Sequence, residues 1–388
     1  MKTTKIFIVL IIFIFITSCA PNINDNESGD TTKEKIPPSI IIVRAGESHT
    51  AAIDKNGGLW VWGYNNFGQV GDGTVKEKLT PVKIMDEAVQ VSVGLWHTVA
   101  VKSDGSLWSW GWNFYGQLGA DMENKIKPVK IIENITKIST GTGYTMAIDG
   151  DGVLWAWGDN EFGQLGDDTT KDKFTPVRIM DDVAQVSAGY NHTAAITGDG
   201  SPWVWGDNRY GQLGDGTITV YDETDGKIKN ARDYNDELSP LKIMDNIVQV
   251  SAGNGYTMAV DGGGWLWGWG DNSSGQLGDG TTTENLTPVK IIDNITYVST
   301  GSSHTMAIKS DGSLWAWGDN SQGQLGDGTK ENRSNPVKIM DDVIQVSAGS
   351  FYTLAIKSDG SLWAWGENSQ GQLGDGTKEN RLAPVKIN

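Results

Sequence analysis

The chain is built from one repeated segment. The stretch SDGSLWAWGDNSQGQLGDGTK at residues 310–330 returns at 358–378 with a single change, Asp319 to Glu367. Its second tryptophan recurs at intervals of 48, 47, 48, 64, 48 and 48 residues, at Trp62, Trp110, Trp157, Trp205, Trp269, Trp317 and Trp365. Seven copies at a nearly fixed period of this length predict a solenoid, a propeller or another array in which each unit packs on its neighbours.

Each copy contains four short apolar runs separated by turn residues. In the last copy these runs are VIQVSAG, YTLAIK, SLWAWG and PVKI, and Asp359-Gly360 between the second and third is a hairpin signal that favours a primed turn. In the third run Trp363 and Trp365 share one face and the other face is also apolar, so this strand must lie between two neighbouring sheets. The sequence therefore predicts an all-β fold, a seven-bladed β-propeller of about 48-residue four-stranded repeats.

The polar residues that recur in every copy indicate architecture rather than chemistry. The four histidines occupy one repeat position, which tyrosine fills in the other three copies, at His49, His97, His192, His304, Tyr144, Tyr256 and Tyr352. Because tyrosine replaces histidine so freely, we predict a structural hydrogen bond there and not a metal ligand. The loop at 271–280 lacks the acidic alternation of a calcium loop, so we expect no metal and no cofactor.

The loops contribute two further shared side chains. An asparagine follows the tryptophan strand in every copy, at Asn65, Asn113, Asn160, Asn208, Asn272, Asn320 and Asn368, and a glutamine follows in each GQ pair. We predict that both satisfy backbone groups of the loop beside the core. Since we find no nucleophile elbow, phosphate-binding loop or reactive cysteine, we assign no catalytic residue.

The first 20 residues have the composition of an export signal. Two lysines precede an unbroken apolar run over residues 6–16, which is too short for a mature membrane-spanning helix but typical of a secretory signal. The run ends in ITSC, which resembles the lipobox of bacterial lipoproteins, where the cysteine becomes the acylated first residue. We therefore predict a lipoprotein signal peptide over 1–18 and lipidation at Cys19. The alternative is an ordinary signal peptide followed by an unrelated cysteine.

The rest of the chain divides into a tether and a folded body. Residues 19–39 are polar, lack apolar periodicity and include Pro37-Pro38, so we expect a flexible tether before a propeller over 40–388. The fourth repeat is 16 residues longer than a 48-residue copy, and the extra residues fall within about 218–239, a segment that is either tolerated decoration or a contact surface. On the second alternative the candidate partner-binding residues are Tyr221, Asp222, Glu223, Arg232 and Tyr234.

The repeats also resemble a known family. The pattern of a glycine followed by HT or YT, then DGSLWAWG, then N..GQLGDG is similar to the tandem repeats of the regulator of chromosome condensation family. The resemblance recurs in all seven copies and implies a seven-bladed propeller. In the nuclear exchange factor of that family a projecting insertion contacts a small GTPase, but the insertion here has no matching motif.

The charge excludes one role of that family. Removing the signal leaves 29 basic against 48 acidic residues, a net charge of −19, and no basic run or tail remains. Binding to nucleic acid requires a basic face that neutralises phosphates. We therefore expect an extracytoplasmic monomer, lipid-anchored to the bacterial cell membrane at the cell surface, without a nucleic-acid partner.

Three functions are considered for a propeller with these features. The first is a non-enzymatic scaffold that binds an extracellular protein or glycan through its face loops. A more specific form of this function is an inhibitor of a cell-wall or β-lactam enzyme, by analogy with a β-lactamase inhibitory protein of the same architecture. The second is an enzyme acting on polysaccharides in the central channel. The third, exchange-factor activity toward a GTPase, conflicts with an extracytoplasmic location.

The short links between copies suggest how the ring closes. Only about three residues separate PVKI from the first strand of the next copy, and short links favour adjacent antiparallel strands. We therefore expect residues 384–387 of the last copy to pair with residues 40–43 of the first, which would leave no free sheet edge at the closure. The alternative is that the short link steps from an outer strand to the inner strand of the next blade.

The lipid anchor gives a first test. Cys19→Ala should abolish incorporation of a fatty-acid analogue in the bacterial host, because only this side chain can be acylated at the predicted site. The measurement is label in the immunoprecipitated protein. If the wild type takes up no more label than the variant, the anchor assignment is wrong.

Overall fold

The chain folds into a ring of seven small β-sheets. The computed structural model describes residues 39–219 and 237–387. Within these ranges 28 strands form seven four-stranded antiparallel sheets, and each sheet keeps its strands in chain order. We number these blades one to seven along the chain. The predicted seven-bladed propeller is confirmed, and the described ranges include no helix that could cross a membrane.

Each repeat supplies one whole blade, from the channel outward. The innermost strands are β1 (Ile40–Ala45), β5 (Ala88–Val93), β9 (Ile135–Thr140), β13 (Val183–Ala188), β17 (Ile247–Ala252), β21 (Ile295–Thr300) and β25 (Val343–Ala348). The second strands are β2 (His49–Asp54), β6 (His97–Lys102), β10 (Tyr144–Asp149), β14 (His192–Thr197), β18 (Tyr256–Asp261), β22 (His304–Lys309) and β26 (Tyr352–Lys357). The third strands are β3 (Leu59–Gly63), β7 (Leu107–Gly111), β11 (Leu154–Gly158), β15 (Pro202–Gly206), β19 (Leu266–Gly270), β23 (Leu314–Gly318) and β27 (Leu362–Gly366). The outermost strands are β4 (Lys78–Met85), β8 (Lys125–Ile132), β12 (Lys173–Met180), β16 (Glu237–Lys242), β20 (Asn285–Ile292), β24 (Arg333–Met340) and β28 (Arg381–Lys386).

The core lies between blades, on both faces of each tryptophan strand. In β23, Leu314 and Ala316 pack against Trp365 of blade seven. Trp317 of the same strand points the other way and belongs to the apolar cluster of blade five, where it is completely buried. Alternate residues of one strand therefore bind two different neighbours, as the predicted sandwiched strand requires.

The hairpin turn inside each blade differs from the primed turn favoured by the sequence. In blade seven Lys357 N donates to Ser361 O over 3.0 Å, and Gly360 is the turn residue with a positive φ, 78°. The type I′ turn that Asp-Gly favours would place two consecutive residues in the left-handed region. The chain instead makes an ordinary right-handed turn followed by one left-handed glycine, which also matches the twist of the two strands.

The expected closure of the ring is wrong. β28 pairs with β27, in the same blade as Trp363, and β1 pairs with β2 alone. The link after each outer strand passes beneath the hairpin turn of its own blade, where Val343 N donates to Gly312 O over 2.9 Å. Asp342 takes a left-handed conformation there, with φ 62°, and directs the chain to the innermost position of the next blade. A short link therefore did not mean adjacent strands.

Blades seven and one meet by packing. Ile40 and Val43 of blade one lie in one apolar cluster with Leu354 of blade seven. The backbone N–H groups of Val43 and Ala45 donate to Gln345 Oε1 and Ser347 Oγ over 2.8 and 2.9 Å. The closure thus uses contacts between complete blades and no exchanged strand.

The segment 218–239 that the sequence assigned to the insertion includes the start of a strand at its carboxyl end. β16 begins at Glu237, so the last three residues of segment 218–239 belong to the outer strand of blade four. Leu238 O accepts a hydrogen bond from Asp168 N over 3.0 Å, as Leu286 O does from Gly216 N over 2.9 Å in the next blade. Outside the described residues lie Cys19 and the candidate partner-binding residues Tyr221, Asp222, Glu223, Arg232 and Tyr234.

The sandwiched strand predicts a difference between two tryptophans of β23. Trp317→Ala should lower the free energy of unfolding by about 3–5 kcal/mol, because it empties a fully buried site between blades. Trp315→Ala is the matched control, and it should cost less because Trp315 is half-buried with Lys309 Nζ 4.9 Å from its ring. Thermal and denaturant unfolding measure both. Equal losses would contradict this assignment of the core.

Candidate functional site

The histidines and tyrosines of the shared repeat position join each blade to the next. Each imidazole is buried, and its Nε2 lies 2.9–3.1 Å from a threonine Oγ1 of the following blade, in the pairs His49 with Thr98, His97 with Thr145, His192 with Thr257 and His304 with Thr353. The tyrosine hydroxyls donate over 2.6–2.7 Å to backbone carbonyls of the next blade, from Tyr144 to His192, from Tyr256 to His304 and from Tyr352 to His49. The predicted structural hydrogen bond is confirmed.

The loop glutamine supplies a second connection at every junction. Gln276 O accepts hydrogen bonds from Trp317 Nε1 over 2.9 Å and from Thr305 Oγ1 over 2.8 Å, both in the next blade. Equivalent bonds reach the carbonyls of Gln69, Gln117, Gln164, Gln212, Gln324 and Gln372. Within the loop the side-chain amides act as well: Asn272 Oδ1 accepts from Leu277 N over 3.0 Å, and Gln276 Oε1 accepts from Ser274 N over 2.9 Å. The predicted role of the loop amides in satisfying backbone groups is confirmed.

Two sets of loops meet at one end of the ring. These are the turns that precede the second strands and the loops that follow the third strands. In blade six they are joined by Asp319 N, which donates to Ser303 O over 2.7 Å, and the other blades have the equivalent bond. We call this end the loop face. The hairpin turns lie at the opposite end.

A polar channel opens at the centre of the loop face. Its volume is about 370 Å³, and serine side chains of the innermost strands line it. Tyr190 reaches across its mouth from blade four, and its hydroxyl lies 2.9 Å from Ser302 Oγ and 3.1 Å from Ser350 Oγ, in blades six and seven. Glu47 of blade one lines the same channel, and its buried Oε2 has no hydrogen-bond partner among the described residues.

Acidic residues recur on the loop face around the ring. The position directly after the third strand is acidic in five blades, at Asp159, Asp207, Asp271, Asp319 and Glu367. Burial raises the pKa of Glu47 to about 7, and the Glu367 carboxylate adds to the shift. Burial also raises the pKa of Asp159 to about 6, with contributions from Asp172 and Glu161. Within 39–219 and 237–387 no group of three or more His, Cys, Asp or Glu side chains is placed to hold a metal.

Blades one and two carry an aromatic cluster on the loop face. Its members are Tyr64, Phe67, Trp96, Trp112, Phe114 and Tyr115. The ring of Trp112 contacts Trp96 edge-on, with centroids 4.9 Å apart, and Tyr115 edge-on, with centroids 5.4 Å apart. Phe114 stacks on Trp112 at 5.8 Å with an interplanar angle of 8° and is 64% exposed.

Sequence reasoning missed this cluster. Tyr64 and Trp112 stand at the position that is acidic in the other five blades. The signal was present in the repeat alignment, as a departure confined to two adjacent copies. The shared residues and the long insertion are the stronger departures from a random sequence, and the cluster shows only when the copies are compared position by position.

The buried carboxyl at the channel mouth predicts a pH dependence of stability. The folded state holds the Glu47 proton more tightly than the unfolded chain, so the stability from this group is full below about pH 4.5 and is lost as the pH rises through about 7. Glu47→Gln, which is neutral throughout, should therefore gain in thermal midpoint relative to wild type as the pH rises. The exposed Glu284→Gln controls for the loss of one negative charge. A difference between wild type and Glu47→Gln that stays constant across this range would contradict the prediction.

Comparisons with known proteins agree with this architecture. The model of the RCC1-like domain matches residues 17–240, and the model of the regulator of chromosome condensation (RCC1) repeat matches 263–308, 311–356 and 359–388. Human WBSCR16 is 21% identical, with 85% of this chain and 94% of that chain covered and a TM-score of 0.74. Yeast RCC1 (Prp20), solved bound to Kap60, is 18% identical, with coverages of 96% and 91% and a TM-score of 0.74. These structures share the fold, and with the match over more than half of its length the chain belongs to the regulator of chromosome condensation (RCC1) repeat family.

Proposed function

We propose that this protein is a non-enzymatic binding propeller, held at the bacterial cell surface by lipid on Cys19, which recognises an extracytoplasmic protein or glycan through its loop face. The observation that carries the proposal is the aromatic cluster. Its rings are partly exposed on a rigid scaffold, and the other blades form without them. Exposed aromatic groups of this kind mark interaction sites on soluble proteins.

The family supports a binding role. The yeast relative was solved in a complex with Kap60, so a protein that contains a propeller of this architecture binds another protein. Similarity to that structure at 18% identity does not carry its partner to this chain. The family and the aromatic cluster together favour a binding surface whose specificity lies in the loops.

The channel offers less support for catalysis. Glycoside hydrolysis generally uses two carboxyl groups that flank the scissile bond. Among the described channel-lining residues Glu47 is the only acid, although Glu367 approaches it closely enough to raise its pKa. A polysaccharide-acting enzyme remains the second candidate on the strength of that pair. Inhibition of a cell-wall or β-lactam enzyme is a special case of the binding role.

Site-specific cross-linking in intact cells tests the proposed function. Phe114 is replaced by the photoreactive p-benzoylphenylalanine in the full chain, and the control places the same group at Ser358, on a hairpin turn at the opposite end. We expect an adduct of higher mass, or retention on sedimented wall material, after irradiation of the first variant alone. Equal capture at both positions would contradict recognition by the loop face.

A second readout separates binding from catalysis. The full chain is incubated with purified wall polysaccharide, and soluble reducing ends are measured. We expect none above the level of Glu47→Gln. Release by the wild type that Glu47→Gln abolishes would support the enzyme instead.

A further inference from the structure

The aromatic cluster is not required by the repeat architecture. Trp112 occupies the position of Asp319, and Phe114 occupies the position of Ser321 in blade six. Trp96 likewise replaces Ser303. Blade six forms the same four strands with the same register, so these polar residues are fully compatible with a blade. The repeat therefore folds without aromatic side chains at these positions.

The cluster holds its exposed ring in a fixed position. Phe114 stacks on Trp112, and Tyr115 contacts both rings edge-on at 5.0 and 5.4 Å. Phe67 of blade one lies 5.1 Å from Trp96 and 6.0 Å from Trp112, which supports the stack from the other side. A preformed aromatic anchor loses little side-chain entropy on binding, which is typical of residues that dominate protein interfaces.

At the junction of blades three and four an arginine lies against an aromatic ring of the loop face. The guanidinium carbon of Arg209 lies 4.6 Å from the centroid of the Phe162 ring of blade three. Arg209 Nη2 also lies 2.7 Å from Asp207 Oδ2. A cation is thus held between an aromatic face from one blade and a carboxylate from the next, where both attractions add.

The preceding junction repeats this arrangement without the arginine. Tyr115 takes the place of Phe162, Asp159 that of Asp207, and Glu161 that of Arg209. Tyr115 and Asp159 both lie next to Gly143. A Cβ placed on this glycine would be 3.0 Å from Tyr115 Cδ2 and 3.3 Å from Asp159 Cβ. In the described part of the chain no lysine or arginine forms an ion pair with Asp159 or Glu161. We call the space between Tyr115, Asp159 and Glu161, at the junction of blades two and three, the niche. It has the aromatic ring and the carboxylate that hold the cation in blade four, and a second acid in place of that cation.

We propose that this niche and the neighbouring aromatic cluster bind a basic segment of a partner polypeptide. A lysine or arginine of the partner lies against the Tyr115 ring between the carboxylates of Asp159 and Glu161, and an adjacent apolar side chain packs on the stack of Phe114 and Trp112. This inference rests on the proposed function, since it names the partner class of the same loop face.

Charge favours a basic polypeptide over a glycan. The chain carries a net charge of −17, and acids occupy the equivalent position in blades three to seven. A cationic partner is attracted by this field during its approach and then by the niche itself. A neutral sugar could stack on the rings but would gain nothing from the acidic surround.

A selection from random peptides tests the proposed partner class directly. A phage-displayed library of random 12-residue peptides is selected on the detergent-solubilised full chain. We expect the enriched peptides to contain lysine or arginine next to an aromatic or aliphatic residue. Enrichment of peptides without basic residues would overturn the proposal.

One substitution fills the niche with the protein's own cation. Glu161→Arg recreates the arrangement of Arg209 in blade four, and it should weaken binding of the best synthetic peptide at least about tenfold. Glu284→Arg makes the same charge change on an exposed loop of blade five and is the matched control, with an expected change within about twofold. Equal weakening by both variants would show a general charge effect and refute the niche.

A second variant guards against misfolding. Asp159→Asn removes one carboxylate and keeps the shape, and it should weaken the same peptide without lowering the thermal midpoint. Chitohexaose and soluble peptidoglycan fragments form the glycan arm. Binding of these sugars that Phe114→Ser abolishes, with no peptide bound, would overturn the basic partner and leave the proposed function standing. Failure of every peptide, glycan and cross-linking probe would refute both.

Discussion

The ring depends on one hydrogen-bonded contact that every blade makes with the next. A buried indole N–H and a threonine hydroxyl both donate to the backbone carbonyl of a loop glutamine, as at Gln276. Burial of the indole provides the apolar contact area, and the carbonyl satisfies a donor that would otherwise be costly to bury. The glycine-rich loop therefore acts as part of the core, which explains why its length and its amides recur even though it lies near the surface.

Much of this could be predicted from the sequence because the repeat amplifies weak local signals. One strand with Trp363 and Trp365 is ambiguous, but seven copies at a fixed period leave few arrangements that bury both faces of that strand. One repeat position holds histidine in some copies, such as His49, and tyrosine in others, such as Tyr352. This variation also indicated a structural hydrogen bond, since both side chains can reach across a junction with a polar atom. Repetition is therefore strong evidence about architecture.

Repetition says little about the features that distinguish individual blades. Phe67 of blade one meets Trp96 and Trp112 of blade two only because the two adjacent blades bring their loops together. The prediction of the ring closure was wrong for a related reason. The length of the link does not show that Asp342 turns the chain beneath a hairpin and across to the channel. Both errors concern relations between blades, which local pattern does not encode. The proposed binding site lies where the repeat is broken.

Closure by packing has a consequence for how such a ring can change. Because each repeat supplies a complete sheet, the junction between blades seven and one has the same chemistry as the six that a peptide link crosses, including the bond from Trp62 Nε1 to Gln372 O. The backbone could therefore start at any link, as in a circular permutation, and still assemble the same wheel. The near identity of residues 310–330 and 358–378 fits growth by duplication of whole blades, after which single copies are free to diverge.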